Sequence, residues 1–316
     1  MNHELDRATI WPYDEHGDPR EFYYSRYGGP TLAAVERELG ALEGGGDALL
    51  FPSGAGATAA LVLTLLQPGD TIALAAGAYF GTGVTFSALH KWGLKHVEFD
   101  QTGAPPDDAQ LIWLEAPSNP FLTMPNIDAA VAHPAPVVVD STVATPVFLK
   151  PLERGADYAL HSATKYLGGH DDVLMGAVVG RDLAELKTFR TRSGISPAPD
   201  AAWLLGRGLK TLEVRVRRQT ESATLLAERL RAHPAVHTVR YPGISGLVSF
   251  DVDDPRKVET STRLIVNATS LGGVTSVMES RARWEGDRVP AGLLRLSVGL
   301  EDVEALWADL EHALAQ

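Results

Sequence analysis

Four short segments carry residue types that can do chemistry. The first, Phe51-Pro52-Ser53-Gly54-Ala55-Gly56-Ala57, is a turn of small residues between an apolar strand and a helix rich in Ala, Leu and Val. Small side chains let backbone N–H groups at a helix N-terminus approach an anion, normally a phosphate, and the same turn also serves plain close packing. In the second, Val137-Val138-Val139-Asp140-Ser141-Thr142, a carboxylate ends an apolar strand. Such an Asp either caps the next turn or faces a protonated ring nitrogen or a metal. The third, His161-Ser162-Ala163-Thr164-Lys165-Tyr166-Leu167-Gly168-Gly169-His170, sets Lys165 in a polar, glycine-flanked loop after a strand. A desolvated lysine loses its proton and forms a Schiff base with an aldehyde; a solvated surface lysine is the ordinary alternative. In the fourth, Leu294-Arg295-Leu296-Ser297-Val298-Gly299, an arginine interrupts an alternating apolar strand, where an unpaired guanidinium is costly to bury. A substrate carboxylate or an internal salt bridge would each offset that cost.

Together these segments are the parts that a pyridoxal-phosphate enzyme supplies: an anion cradle, an acidic partner for a ring nitrogen, a Schiff-base lysine and a carboxylate clamp. Asp140 would keep the pyridine nitrogen protonated. Lys165 would hold the cofactor covalently and, once a substrate amine displaces it, become a free base over the α-carbon.

Such residues need a scaffold that brings them together. From about Gly28 the chain alternates helical and strand-like segments. A helix opens at Pro30 with Leu32, Val35, Leu39 and Leu42 on one face, and ends at Gly44-Gly45-Gly46. Strands are predicted at 48–51, 71–75, 96–99, 111–115, 137–140, 158–161 and 173–179, with helical or loop segments between. Short, continuously apolar strands separated by helices indicate an α/β fold whose sheet is mostly parallel and covered by helices on both faces. The rhythm changes after about Pro197. One long amphipathic stretch covers roughly 200–232, then come strands near 236–241 and 247–252, a helix near 257–267, further strands, and a helix over 303–315. The expected organisation is an N-terminal arm over 1–30, a cofactor-binding α/β domain over 31–205, and a smaller C-terminal α+β domain with its connecting helix over 206–316.

Composition sets outer limits. The 316 residues include 28 Lys+Arg against 40 Asp+Glu, a formal charge of −12, which argues against a nucleic-acid binder needing a basic face. With no cysteine there is no disulfide framework, thiolate metal site or cysteine nucleophile, and no metal site is expected. The N-terminus, MNHELDRATIWPYDEHGD, lacks the pattern of a signal peptide, and the apolar run around ALVLTLL stops at Gln67-Pro68-Gly69-Asp70, too short to span a bilayer. No membrane or nucleic-acid partner is expected, and the cytoplasm is the expected compartment.

Nine motifs in order, YSRYGGPT, FPSGAGA, GDTIALAAGAYFGT, LEAPSNP, VVVDSTVATP, GADYALHSATKYLGGH, RGLKTLEVR, SLGG and LLRLSVGLED, run from about Tyr23 to the C-terminus. With them the chain resembles the Cys/Met-metabolism pyridoxal-phosphate enzymes, the cystathionine γ-synthase, cystathionine lyase and methionine γ-lyase group. The resemblance implies the fold-type I architecture and assigns roles by position. Lys165 would be the Schiff-base lysine and Asp140 the partner of the pyridine nitrogen. Ser162 and Thr164 would join the backbone of Gly54 and Ala55 around the phosphate. Tyr79 would stack on the ring, its phenol assisting proton transfer or departure of the leaving group. Asn119 would contact the 3-hydroxyl region, and Arg295, helped by Ser270, would clamp the substrate carboxylate. Tyr24 and Arg26 would reach the phosphate of a neighbouring subunit, so the site would be complete in a homodimer, with a homotetramer as the usual assembly.

The departures bear on substrate choice. Ser141 stands where the family usually has Asn, and Thr275 where Glu is common; Gly81 replaces the cysteine that methionine γ-lyases carry two residues after the stacking Tyr, which argues against methionine. The arm, the segment after Tyr241-Pro242-Gly243 and the loop RARWEGDRVPAG are all short. The leading expectation is a C–S lyase acting on L-cystathionine or a related sulfur amino acid, with γ-elimination ahead of β-elimination. The alternatives are γ-replacement on an O-acyl-homoserine, an aminotransferase of the same fold type, and a catalytically retired homologue kept for binding or regulation.

Overall fold

The computed structural model describes residues 3–316, so residues 1 and 2 of the expected arm lie outside the described residues. The strands are β1 (Asp47–Phe51), β2 (Thr71–Ala75), β3 (Lys95–Phe99), β4 (Leu111–Glu115), β5 (Val137–Asp140), β6 (Tyr158–Ser162), β7 (Gly176–Gly180), β8 (Thr238–Arg240), β9 (Leu247–Asp251), β10 (Val266–Asn267), β11 (Val277–Ser280) and β12 (Leu293–Ser297). The helices are α1 (Pro30–Leu42), α2 (Gly54–Leu65), α3 (Phe80–Leu89), α4 (Ile127–Val131), α5 (Thr145–Phe148), α6 (Ala184–Ser193), α7 (Pro199–Leu209), α8 (Leu212–Ala232), α9 (Pro255–Ser261), α10 (Ala282–Glu285) and α11 (Val303–Leu314).

Seven strands form the large sheet in the order β1-β7-β6-β5-β4-β2-β3. The four ladders from β3 through β2, β4 and β5 to β6 are parallel, while β7 pairs antiparallel with both β6 and β1. Both central strands, LIWLE and VVVD, are buried along their whole length because helices cover both faces. On one face Val35 and Leu39 of α1 meet Leu205 and Leu209 of α7; on the other Ala57 and Leu61 of α2 meet Phe86 of α3 and Trp113 of β4. Each such aliphatic side chain stabilises the fold by about 1.5–3 kcal/mol when withdrawn from water. The parallel arrangement brings the carboxyl ends of β4, β5 and β6 to one edge, where Glu115, Asp140 and Ser162 stand.

The second sheet has the order β10-β11-β12-β9-β8 and is antiparallel except between β10 and β11. Leu226 and Leu230 of α8 and Leu306 and Leu310 of α11 cover it. The structure thus has the mostly parallel α/β sheet and the smaller α+β unit expected.

Some boundaries differ from expectation. The stretch 200–232 is two helices, because α7 ends at Leu209 and α8 begins at Leu212. The amphipathic period continues across that break, so periodicity alone hides it. Arg215 explains the break's geometry: its buried guanidinium donates to the carbonyls of Gly208 (Nη2, 2.9 Å) and Tyr166 (Nη1, 2.9 Å), tying the end of α7 to the loop that carries Lys165. Gly169 is required there, since its φ is +72° and a Cβ would lie 1.9 Å from Arg215 Nη1. The helix expected over 257–267 ends at Ser261, where the chain turns so that Asp309 can accept from the N–H groups of Arg263, Leu264 and Ile265. The strand expected from Val173 begins only at Gly176.

Candidate active site

A cavity of about 440 Å³ opens at the carboxyl edge of the large sheet and is closed on its far side by the small one. At one end lies the N-terminus of α2. Ser53 caps it by accepting from the Gly56 N–H at 3.0 Å, which leaves the N–H groups of Gly54 and Ala55 without partners among the described residues. A Cβ on Gly54 would stand 2.9 Å from that of Ser162, so only glycine lets these two elements meet. Ser162 Oγ has no hydrogen-bond partner among the described residues, and Ser162 lines the cavity. Thr164 also lines it, but its hydroxyl already donates to Met175 O (3.2 Å) and accepts from Met175 N (3.0 Å). Free N–H groups at the positive end of a helix dipole, with a free hydroxyl beside them, form a cradle for a phosphate.

In the middle of the cavity stands Asp140. Its Oδ1 accepts from the backbone N–H (3.0 Å) and hydroxyl (2.5 Å) of Thr142, while Oδ2 makes no hydrogen bond to the described residues. Burial raises its pKa, and the two Thr142 bonds pull it back. The carboxylate therefore caps its turn with one oxygen and leaves the other, unpaired among the described residues, at the cavity.

Opposite lies Lys165, whose Nζ donates to Ser270 Oγ at 2.8 Å. Burial first, and then the positive charge of Arg295, lower its pKa to about 8. Ser270 has φ +88°, a left-handed backbone that L side chains rarely adopt, and its carbonyl accepts from Arg295 Nη2 at 2.9 Å. One strained residue thus ties the base to the expected carboxylate clamp.

Arg295 is buried and already ion-paired. Its Nη2 meets Glu279 Oε1 at 2.6 Å and its Nη1 donates to Asn119 Oδ1 at 3.0 Å. The cross-strand register sets Glu279 of β11 directly opposite Arg295 of β12. The internal salt bridge that the sequence allowed is therefore present. Of the five guanidinium hydrogens, the Nε–H and one Nη1–H remain for a ligand. The same Glu279 Oε1 accepts from Arg281 Nη1 at 2.6 Å, Arg281 Nη2 meets Glu285 Oε1 at 2.8 Å, and Trp284 Nε1 donates to Glu279 Oε2 at 3.0 Å. Arg281 and Trp284 line the cavity.

Tyr79 precedes α3 and is 43% exposed, so its ring is open to the cavity and to solvent. Its backbone N–H donates to Glu115 Oε2 at 2.5 Å. A Cβ on Gly81 would lie 2.4 Å from Cε1 of the Tyr79 ring. The ring thus occupies space that any side chain at 81 would need. Tyr24 and Arg26 do not line this cavity; Arg26 Nη1 donates to Thr191 O at 3.1 Å, and its guanidinium lies over the rings of Tyr24 and Tyr27.

The structure accordingly brings together Gly54, Ala55, Tyr79, Asn119, Asp140, Ser162, Thr164, Lys165, Ser270 and Arg295. Sequence reasoning gave no role to Glu115, Glu279, Arg281, Trp284 or Glu285. Glu115 was visible within LEAPSNP, at the end of a buried strand. Glu279, Arg281 and Glu285, which form a buried ion quartet with Arg295, carried no signal of their own, because their meeting depends on a strand register that spacing does not reveal. These residues fit pyridoxal phosphate: the cradle closes around Gly54, Asp140 Oδ2 is open, and burial brings the Lys165 pKa down to about 8.

A family profile described as Cys/Met metabolism PLP-dependent enzyme matches residues 3–315. A protein named putative cystathionine gamma-lyase from Streptomyces coelicolor is 39% identical, covering 94% of this chain and 85% of its own length. One named cystathionine gamma-synthase from Mycobacterium tuberculosis is 38% identical, covering 93% and 86%. Among solved structures, metB from Corynebacterium glutamicum superposes with a TM-score of 0.95 at 36% identity, over 99% of this chain and 92% of that one. CalE6 from Micromonospora echinospora is called a cystathionine gamma lyase in one structure (TM-score 0.93, 35% identity, 99% and 93% covered) and a methionine gamma lyase in another. Overall likeness thus does not separate these substrates.

Proposed function

We infer the activity from one premise: the chain belongs to the Cys/Met metabolism PLP-dependent enzyme family. It is therefore a pyridoxal-phosphate-dependent enzyme. The reaction we propose is cleavage of a C–S bond in L-cystathionine or a related sulfur amino acid, with γ-elimination ahead of β-elimination.

When bound, pyridoxal phosphate supplies an electron sink for the substrate's α-carbon. The N–H groups of Gly54 and Ala55 and the hydroxyl of Ser162 would hold its phosphate, and Asp140 Oδ2 would keep a proton on its ring nitrogen. Thr164 would join them by turning its hydroxyl hydrogen from Met175 O to the phosphate. Arg295 would receive the substrate carboxylate through one of its free N–H groups, with the Asn119 amide beside it. Lys165 Nζ would take the proton from the α-carbon, and for γ-elimination a further proton from the β-carbon, with Ser270 Oγ holding the amine in line between transfers. The Tyr79 hydroxyl would protonate the departing sulfur.

The observation that carries this reading is the double contact of Ser270, hydroxyl to Lys165 Nζ at 2.8 Å and carbonyl to Arg295 Nη2 at 2.9 Å. An amino acid held by its carboxylate on Arg295 presents its α-carbon to that base. The relatives named cystathionine gamma-synthase support a second reading, γ-replacement on an O-acyl-homoserine. The proposal includes a homodimer completed by Tyr24 and Arg26 across the interface, a homotetramer as the full assembly, and action in the cytoplasm. Absence of the two residues from their own chain's cavity supports the intersubunit part; no helix of the described residues is long and apolar enough to cross a membrane.

The test is to incubate the cofactor-loaded protein with L-cystathionine and identify the keto acid. Release of 2-oxobutyrate supports γ-elimination, and pyruvate would move the assignment to β-elimination. Neither product, with turnover of an O-acyl-homoserine plus cysteine, would replace the lyase by the γ-replacement reading.

A further inference from the structure

Two carboxylates stand side by side at the carboxyl edge of the large sheet. The parallel register pairs Glu115 of β4 with Asp140 of β5, at 5% and 9% exposure. Among the described residues no Lys, Arg or His nitrogen forms a salt bridge with either, although Arg295 acts through space on Glu115 and His161 on Asp140, each favouring the charged form of its carboxylate. Two buried carboxylates that close do not both ionise without a cation between them.

Their surroundings decide which one carries the proton. Asp140 accepts two hydrogen bonds on Oδ1, from the Thr142 N–H and hydroxyl, and keeps Oδ2 open to the cavity. Glu115 accepts one, from the Tyr79 N–H on Oε2, and Glu115 Oε1 makes no hydrogen bond to the described residues. The ring N–H of the family's cofactor adds one more donor, on the Asp140 side. Asp140 is thus the better-solvated anion, and Glu115 the better place for a proton.

We propose that Glu115 is held as the neutral carboxylic acid, a positioning residue that leaves Asp140 the single anion beneath the cofactor ring and anchors Tyr79 at the head of α3. On balance the groups facing it favour the neutral form. Burial first and then Asp140 push the Glu115 carboxyl well above its ordinary range, and Glu285 adds to this. The Tyr79 N–H and Arg295 pull it back. An ionised Glu115 would also compete with Asp140 for the ring proton. The proposal rests on the assigned cofactor but not on which C–S bond is cleaved.

Infrared spectroscopy of protein carrying carboxyl-¹³C glutamate tests it without altering the chain. The expected result, with and without cofactor, is an isotope-shifted protonated-carboxyl band that persists from about pH 6 to about pH 8, far above an ordinary glutamate. Glu115→Gln, which keeps the shape and neutrality, removes that band and holds the cofactor within about threefold of wild type, as expected where no charge is lost. Asp140→Asn shifts the band's titration down by about one pH unit or more, because a like charge is gone. No such band above about pH 5 in the wild type would overturn the proposal. So would a Glu115→Gln protein, folded by circular dichroism, that releases the cofactor as readily as Asp140→Asn. Failure of cystathionine cleavage with the band present would count against the reaction and leave this assignment standing.

Discussion

The two walls of the cavity are built on different principles. The wall from the large sheet uses strand ends and backbone N–H groups, with most functional residues held by neighbours close in sequence, Gly54 by the Ser53 cap, Asp140 by Thr142 and Thr164 by Met175, while Lys165 reaches across to Ser270. The wall from the small sheet is a buried ion quartet, Arg295, Glu279, Arg281 and Glu285, whose members meet across β11, β12 and α10. The first wall fits a cofactor, whose phosphate and ring need fixed dipoles and one carboxylate. The second is the wall proposed to meet the substrate, and its arginine is already charge-compensated by Glu279. The proposed cofactor wall is thus built mainly from local contacts, and the proposed substrate wall from tertiary ones.

The largest effect should come from the first wall. Lys165→Ala is expected to lower keto-acid release by about 10³-fold or more, since it removes both the anchor and the base. Turnover within about tenfold of wild type would mean that the cofactor wall does not hold the reacting base. On the second wall, Glu279→Ala leaves Arg295 and Arg281 short of a shared carboxylate, and the unfolding free energy in denaturant should fall by about 3–5 kcal/mol. A loss below about 1 kcal/mol would make the quartet no more than a surface-type network and erase the contrast between the walls.

The pH behaviour of Lys165 sharpens the comparison. Its Nζ is a nucleophile only when neutral, so capture of pyridoxal phosphate by cofactor-free protein should accelerate about tenfold per pH unit below about 8 and level off above it. The lowered pKa also means that the unfolded chain holds a proton the native chain has lost between about 8 and the ordinary lysine value of 10.5, so the cofactor-free fold gains stability as pH rises through that window. A capture profile that keeps rising beyond about pH 10 would indicate an ordinary, solvated lysine. A smaller effect is expected at the rim. Gly81→Ala would place a Cβ against the Tyr79 ring and should lower turnover by about tenfold with the fold intact, and the loss should shrink when Tyr79→Phe is already present. Full additivity of the two changes would separate Gly81 from Tyr79.

What could be read from sequence follows the same division. The bounds 71–75, 111–115 and 137–140 coincide with the observed strands because each is a short apolar run stopped by turn residues or a charge. Asp140 and the Gly54 turn were legible because the residues that cap them, Thr142 and Ser53, lie within a few positions, whereas Lys165 was legible from its motif although its partner Ser270 is distant in sequence. Arg295 was legible as an anomaly, but not its pairing, because the Glu279 partner depends on the β11–β12 register. The break between α7 and α8 was hidden because helical period persists while Arg215 fastens it from a distant loop. Glu115 sat in plain view in a motif, and its meaning came only from the ladder that sets it beside Asp140.

The central claim is that one lysine of the chain's seven holds the cofactor in this cavity. Reducing the cofactor-loaded protein with borohydride fixes the cofactor to whichever lysine carries it, and peptide mapping by mass spectrometry then identifies that residue. The prediction is modification at Lys165 alone. Modification elsewhere, or none on protein shown to retain the cofactor, would contradict the account.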